Sequence, residues 1–295
     1  MEIKPTPLQE FSSKLTRKKE VSLFVKREDL NHPEVSGNKL RKLKYNLHEA
    51  KKQGKTKLLT FGGAYSNHIY ATAAAGKIQG FETIGVIRGE EHLPLNPTLE
   101  FAQSCGMHFH YLDRTRYRLK DSQLVLNDLK RLYGDFYLIP EGGTNEFAIK
   151  GVQEVLSEEE KEFDYFCLSV GTGGTIAGII QSLKGKGNII GLSALKGDFL
   201  EVEINSLFRQ FNLREFNNWH VNQNYHFGGY AKTSDDLFHF IREMEEQHDL
   251  PLDPIYTGKS FYGLLDLIRQ DKFATGSKIM FIHTGGLQGR AGKGI

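Results

Sequence analysis

Phe163-Asp-Tyr-Phe-Cys-Leu-Ser-Val170 runs straight into Gly171-Thr-Gly-Gly-Thr-Ile-Ala-Gly178, and this junction decides the fold. The first half is a short apolar run bounded by a glycine cluster, which predicts a buried strand over 163–170. The second half leads into a helix over 175–183. Successive glycine and threonine amides at such a junction can converge on one anion, and the helix N-terminus adds its partial positive charge. A dinucleotide fingerprint needs glycine at the sixth position from Gly171, where Ile176 stands, and no lysine follows as in a P-loop. The motif fits a cradle for a single phosphate monoester. A plain Gly-rich tight turn competes for it when it is read alone.

The same rhythm repeats outward. Upstream come a strand at 23–26, a helix over 39–53, a strand at 57–61, a small-residue helix over 67–78 and a strand at 83–87. A helix over 99–104, a strand at 108–111, a helix over 123–132, a strand at 136–139 and a helix over 146–156 complete that half. Downstream stand strands at 189–192 and 278–283. Strands alternating with helices predict parallel sheets with crossover helices, and ligands gather at the carboxyl ends of such strands. The expectation is an α/β protein of two open parallel-sheet lobes, helices on both faces, with the site between the lobes.

Ser36-Gly-Asn-Lys-Leu-Arg-Lys-Leu43, entered from Lys26-Arg-Glu-Asp-Leu30, puts Lys39 at a loop-to-helix junction. A lysine there keeps its backbone fixed while its amine reaches across a cleft. Desolvation near other cations lowers its pKa and frees it to attack a carbonyl carbon. A solvated basic helix start is the bland alternative, and it is the reading adopted for Lys42 and Lys44. Gly62-Gly-Ala-Tyr-Ser-Asn-His68 places Ser66 and Asn67 at a helix start suited to a carboxylate, with Ser66 also the obvious N-cap. His68 is a general-base candidate, although a structural histidine is the safer reading. Asp253-Pro-Ile-Tyr-Thr-Gly-Lys-Ser260 and Gly228-Gly-Tyr230 add two tyrosines beside glycine-rich loops, candidates for proton transfer or substrate gating. Partly buried surface tyrosines are the ordinary alternative.

The bulk numbers exclude several classes. The 295 residues are 39% hydrophobic and 25% charged, as in an ordinary globular protein. With 38 basic against 36 acidic residues, the net charge of +2 supports neither a nucleic-acid nor a membrane partner. Cys105 and Cys167 stand in unrelated contexts and read as reduced thiols, with Cys167 inert inside its apolar run. The first residues lack an apolar signal region, and no apolar run approaches the ~20 residues of a membrane span, so a cytoplasmic location is expected. No HExxH or paired cysteines occur, and no metal is expected.

Taken in order from Leu8 to Gly286, these segments resemble the pyridoxal-phosphate family of D-cysteine desulfhydrase and 1-aminocyclopropane-1-carboxylate deaminase. The resemblance implies a tryptophan-synthase-β-like fold, type II among pyridoxal-phosphate enzymes. It implies a large cofactor-binding lobe from residues 1–41 and 140–295, a small inserted lobe from 42–139, and a homodimer. The cofactor would be pyridoxal 5′-phosphate, held by Lys39 as a Schiff base, with Asn67 beneath the ring. The amides of Gly171, Thr172, Gly173, Gly174 and Thr175 match the phosphate cradle, and Thr257 and Thr284 lie toward the ring nitrogen. By the same likeness the catalytic set is Lys39, Ser66, Tyr230 and Tyr256, and a small amino acid is bound by Ser66, Asn67 and His68.

In the deaminase branch the residue after the second tyrosine is a glutamate near the pyridine nitrogen; here it is Thr257. A carboxylate keeps that nitrogen protonated and makes the ring a strong electron sink, which a hydroxyl cannot do. Tyr256-Thr-Gly-Lys259 and His283-Thr-Gly-Gly286 look like the desulfhydrase branch. The expected activity is α,β-elimination on a small D-amino acid, D-cysteine giving pyruvate, ammonia and sulfide. Opening of the cyclopropane ring to 2-oxobutanoate and ammonia is the alternative; D-serine and β-chloro-D-alanine stay open as substrates. A non-catalytic phosphate-ligand-binding homologue ranks below these. Two departures from the family pattern stand out: Tyr65, where relatives commonly carry glutamine, and the short polar ending Leu287-Gln-Gly-Arg-Ala-Gly-Lys-Gly-Ile295.

Overall fold

A computed structural model describes residue 3 and residues 5–291. In chain order it contains β1 (Leu8–Phe11), α1 (Lys14–Lys18), β2 (Ser22–Lys26), α2 (Asn38–Lys52), β3 (Lys57–Gly62), α3 (Asn67–Gln79), β4 (Glu82–Arg88) and α4 (Pro97–Ser104). Then come β5 (His108–Leu112), α5 (Arg114–Tyr117), α6 (Gln123–Tyr133), β6 (Tyr137–Ile139), α7 (Glu146–Val152), β7 (Tyr165–Val170) and α8 (Gly174–Leu183). The last elements are β8 (Asn188–Ser193), α9 (Leu200–Gln210), β9 (Trp219–Asn222), α10 (Asp235–His248), α11 (Thr257–Arg269) and β10 (Lys278–Ile282). Every strand expected from the sequence forms. The short edge strands β1 and β9 and the helices α9, α10 and α11 join them without having been anticipated.

The strands form two sheets, one of six strands in the order β1-β2-β10-β7-β8-β9 and one of four in the order β5-β4-β3-β6. All pairings are parallel except β1 with β2. Parallel sheets need both faces covered, and the period-2 alternation of the strands shows how this is met. In the large sheet Val25, Cys167, Leu192, Ile279 and Phe281 pack on one side with Leu237 and Ile241 of α10 and Phe261 of α11. Phe166, Leu168, Val170, Met280 and Ile282 pack on the other with Val152 of α7, Ile176 and Ile180 of α8, and Ile204 of α9. The small sheet repeats the scheme: Leu58 and Ile139 meet α2 and α3, while Leu59, Phe61, Ile84 and Val86 meet Val125 and Leu129 of α6. Each such buried side chain contributes about 1.5–3 kcal/mol. The architecture is therefore α/β with two parallel-sheet lobes, and no helix among the described residues is long and apolar enough to cross a membrane.

Candidate active site

The carboxyl ends of both sheets meet around one cavity of about 290 Å³. Its walls come from Gly63 after β3, Arg88 at the end of β4, Glu141 and Gly142 after β6, Ser169 to Gly173 at the end of β7, and Thr284 after β10. Lys39, Ser66, Asn67, His68, Gly171, Thr172, Gly173, Thr175, Tyr230, Tyr256 and Thr284 all line it. The sequence motifs thus converge from segments more than two hundred residues apart.

Lys39 is placed by the loop before α2. Gly37 has φ +71°, and a Cβ there would fall 2.0 Å from the Thr284 carbonyl oxygen, so only glycine fits. The Asn38 amide donates to that same carbonyl at 3.1 Å, and Asn38 Nδ2 donates to Thr175 Oγ1 at 2.8 Å. Behind them Arg41 grips Glu28 through Nε and Nη2, each 2.9 Å from a carboxylate oxygen, and Arg27 pairs with Asp29 at 2.8 Å. The Lys26-to-Leu30 motif is therefore a buried brace for α2. Lys39 Nζ donates to the Gly142 carbonyl at 3.3 Å, and burial pushes its pKa down to about 8.

The solvated reading of Lys42 is wrong. Lys42 is 1% exposed, and its Nζ donates to Gly142 O at 2.9 Å and Thr144 Oγ1 at 3.1 Å. Burial, and next the Lys39 charge, hold its pKa well below the ordinary lysine range. Residues three apart on a helix share a face, so the spacing from Lys39 carried the signal. Lys44 behaves as read, pairing with Glu154 at the surface.

Lys42 Nζ also lies 3.0 Å from where a Gly174 Cβ would stand, at the N-terminus of α8. That helix is preceded by Gly173, which offers no side-chain cap, so its first-turn amides keep donors with no intrahelical partner. The Gly174 Cβ would also crowd Thr144 Oγ1 at 2.7 Å, which keeps the turn bare. A buried cation satisfied only by neutral oxygens, beside an uncapped helix start, calls for an anion. The residues present fit a phosphate ester, and with Lys39 alongside they fit pyridoxal 5′-phosphate.

On the small lobe, Ser66 Oγ caps α3, accepting from the amides of His68 at 3.2 Å and Ile69 at 3.3 Å. Its own proton is left to donate. Asn67 Oδ1 accepts from Gln288 Nε2, so the polar C-terminal segment braces this wall; residues 292–295 lie outside the described residues. Tyr65 is 43% exposed and does not line the cavity. His68 is buried, with burial and then the Lys39 and Lys42 charges holding it well below its usual pKa.

Across the cavity Tyr230 and Tyr256 meet edge to face, ring centroids 6.0 Å apart. Burial and the neighbouring Tyr230 hold the Tyr256 phenol well above its ordinary pKa, and burial raises Tyr230 as well. Tyr230 sits on a turn pinned by Lys259 of α11, whose buried amine donates to the carbonyls of His226 at 3.0 Å and Gly229 at 2.8 Å. Tyr256 is not on a loose loop: it immediately precedes α11. Asp253, fully buried, fixes it there, accepting from the amides of Ile255 and Tyr256 at 2.8 Å and of Thr257 at 2.9 Å.

Thr257 does not reach the cavity. Its hydroxyl donates to Asp253 Oδ2 at 2.7 Å and accepts the Asp253 amide at 2.9 Å, fully buried in the helix cap. Of the two threonines expected near a ring nitrogen, only Thr284 lines the site. Sequence reasoning also passed over Asp253, although an aspartate four residues before Thr257 is an ordinary helix-start signal, and it passed over Arg88 and Glu141.

Comparison with known proteins identifies the family. A family profile described as pyridoxal-phosphate dependent enzyme matches residues 1–285. A protein of Pyrococcus horikoshii, named provisionally as a 1-aminocyclopropane-1-carboxylate deaminase, is 31% identical over 297 residues, spanning 96% of this chain and 90% of its own. An Arabidopsis thaliana protein named bifunctional D-cysteine desulfhydrase/1-aminocyclopropane-1-carboxylate deaminase, mitochondrial, is 32% identical over 294 residues, 90% of this chain and 73% of its own. A crystal structure of an ACC deaminase homologue matches at a TM-score of 0.84 and 30% identity, over 99% of this chain and 92% of that one.

Proposed function

This chain belongs to the family of pyridoxal-phosphate dependent enzymes, lyase-type, and from that premise we propose that it converts D-cysteine and water to pyruvate, ammonia and hydrogen sulfide. The observation that carries the choice of substrate is the wall at Thr284. Threonine lines the cavity there, and the nearby carboxylate of Asp253 is outside the lining and taken up by four donors. Among the described residues the one carboxylate in the lining is Glu141, already paired with Tyr117 and Lys120, and a threonine in place of a carboxylate at the ring nitrogen would favour loss of a β-leaving group over cyclopropane opening. When bound, the cofactor supplies the electron sink that acidifies the Cα–H of an amino acid.

The protein groups then divide the work. The α8 amides and Lys42 hold the phosphate, and the Ser66 hydroxyl with the N-terminus of α3 holds the substrate carboxylate. Lys39 Nζ, with its pKa lowered to about 8, takes the Cα proton. The raised pKa of Tyr256 keeps its phenol protonated near neutrality, so it donates a proton to the departing sulfur rather than acting as a base. Residues 1–41 and 140–295 as the large lobe, 42–139 as the small lobe, and a homodimer belong to the same proposal.

The test is to supply cofactor-loaded enzyme with D-cysteine and, separately, 1-aminocyclopropane-1-carboxylate. Pyruvate and sulfide in equal amounts are expected from the first, and little 2-oxobutanoate from the second. Absence of sulfide with cofactor fully bound overturns the substrate. Efficient 2-oxobutanoate formation moves the chain to the deaminase reading, which the names of its relatives favour.

A further inference from the structure

Among the described residues, Arg88 brings to the cavity wall a charge that no carboxylate answers. The other charged groups of the lining are engaged: Lys39 and Lys42 share the Gly142 carbonyl, and Glu141 takes the Tyr117 hydroxyl at 2.9 Å and Lys120 Nζ at 3.4 Å. Arg88 ends β4 with its side chain exposed, so it stands where the cavity opens to solvent. Its guanidinium carbon lies 5.8 Å from the Tyr117 ring centre, a contact with an aromatic face and not with an anion. The turn from β3 to α3 fixes its place. A Cβ on Gly62 would stand 2.8 Å from Ser66 Oγ, whereas one on Gly63 would stand 3.5 Å from Arg88 Nη2. These neighbouring positions point at different groups, so Ser66 and Arg88 lie on different sides of the Gly62-Gly63 step. The Arg88 charge also reaches Tyr230: burial raises that phenol, and Arg88 is among the influences that lower it. Arg88 therefore faces the space between the start of α3 and Tyr230.

We propose that Arg88 is a specificity-determining residue that receives a second anionic group of the substrate, carried on its β-carbon. The substrate class is then a small amino acid with an acidic β-substituent, such as a sulfate or phosphate ester of serine. The inference rests on the proposed amino-acid site and deepens it. The α-carboxylate is seated on Ser66 and the α3 amides, which leaves Arg88, on the other side of the Gly62-Gly63 step, for a different group. A guanidinium offers several N–H donors in one plane, which matches the oxygens of such an ester. The chemistry follows the same course. With D-serine O-sulfate, Lys39 takes the Cα proton, and the Cβ–O bond breaks with its electron pair kept by the sulfate. Water then hydrolyses the released enamine, so the D-serine O-sulfate anion and water give pyruvate, ammonium and hydrogen sulfate. Sulfate departs as an anion and needs no proton from Tyr256, unlike the sulfur of D-cysteine.

The test compares D-aspartate with D-asparagine, which match in size, differ in charge and carry no group that leaves in β-elimination. Their affinities for cofactor-loaded enzyme are read from the absorbance of the bound cofactor. D-Aspartate is expected to bind about fivefold more tightly, the upper range for an ion pair still reached by water, and rising salt should narrow the gap. That ratio should fall to about one in Arg88→Met, where the guanidinium is gone, and be partly kept in Arg88→Lys. In turnover, Arg88→Met should lower kcat/KM for D-serine O-sulfate by about fivefold relative to β-chloro-D-alanine, whose β-substituent is uncharged. A wild-type ratio near one, a ratio that survives Arg88→Met, or equal losses for both turnover substrates overturns the inference. The wild-type ratio and its salt dependence require no variant to fold. Failure of the D-cysteine reading looks different: no sulfide from D-cysteine while D-aspartate keeps its advantage. If neither amino acid binds, the amino-acid site falls and this inference falls with it.

Discussion

The two ends of the cavity follow opposite rules. At the α8 end, groups are left short of partners: the helix start has no cap, and the buried Lys42 amine meets only a carbonyl and a hydroxyl. At the tyrosine end the supporting groups are paired, with Asp253 accepting four donors and Lys259 donating to two carbonyls. Buried polar groups without partners are costly, and native proteins keep few of them. Where they cluster around a cavity they mark what binds; where they are saturated they mark what positions. On the proposed reading the α8 end would draw its missing charge from a ligand, and the tyrosine end would be a frame for two phenols.

Lys39, whose amine shares the Gly142 carbonyl with Lys42, gives the largest effect when removed. Lys39→Ala should lower turnover by about ten-thousandfold or more, the range for losing a proton-transfer group that also acts as a nucleophile. Cofactor should still bind at the α8 end but no longer be fixed by borohydride, as peptide mapping would report. Borohydride fixation at another lysine would break the division between the ends.

Lys42 sharpens the comparison with opposite signs in two measurements. Lys42→Met removes a charge-assisted hydrogen bond worth about 1.5–3 kcal/mol, so cofactor affinity should fall about ten- to a hundredfold in an absorbance titration. The cofactor-free protein should melt higher, because a buried cation without a counter-charge has been replaced by an apolar chain of similar length. Equal cofactor affinity in wild type and variant would mean that the amine merely staples Gly142 and Thr144.

The same contrast explains what was legible in the sequence. Unsatisfied ends need special residues in short runs, and Gly171 to Thr175, Lys39 and Ser66 announced themselves that way. The alternating strands were equally plain, because apolar runs such as Tyr165–Val170 have few other readings. Satisfied scaffolds use ordinary residues whose partners are distant in the chain. Nothing near Lys259 in sequence says that its amine will hold Gly229, thirty residues upstream. The helices α9, α10 and α11 had only amphipathic spacing to declare them, such as Leu237, Ile241 and Met244 along one face. Lys42 was misjudged because a basic run looks solvated until the α2–α7 packing around it is known.

Thr257 and Thr284 give the smallest effect and the finest discrimination. Family likeness treats them as a pair near a ring nitrogen, yet one is sealed in a helix cap and the other faces the cavity. Thr257→Val deletes a buried donor to Asp253 and strands the Asp253 amide, which should cost about 1–3 kcal/mol of stability and appear as a lower melting temperature. Turnover of the folded enzyme should stay near wild type. Thr284→Val should do the reverse, shifting the absorbance of the bound cofactor and the rate with little change in melting. Thr257→Glu cannot serve as a probe of the deaminase chemistry, because its carboxylate would be forced against Asp253 in a buried cap rather than toward the ring. If Thr257→Val alters the cofactor spectrum as strongly as Thr284→Val does, the tyrosine end is not a mere frame, and the electronic reading returns to both threonines.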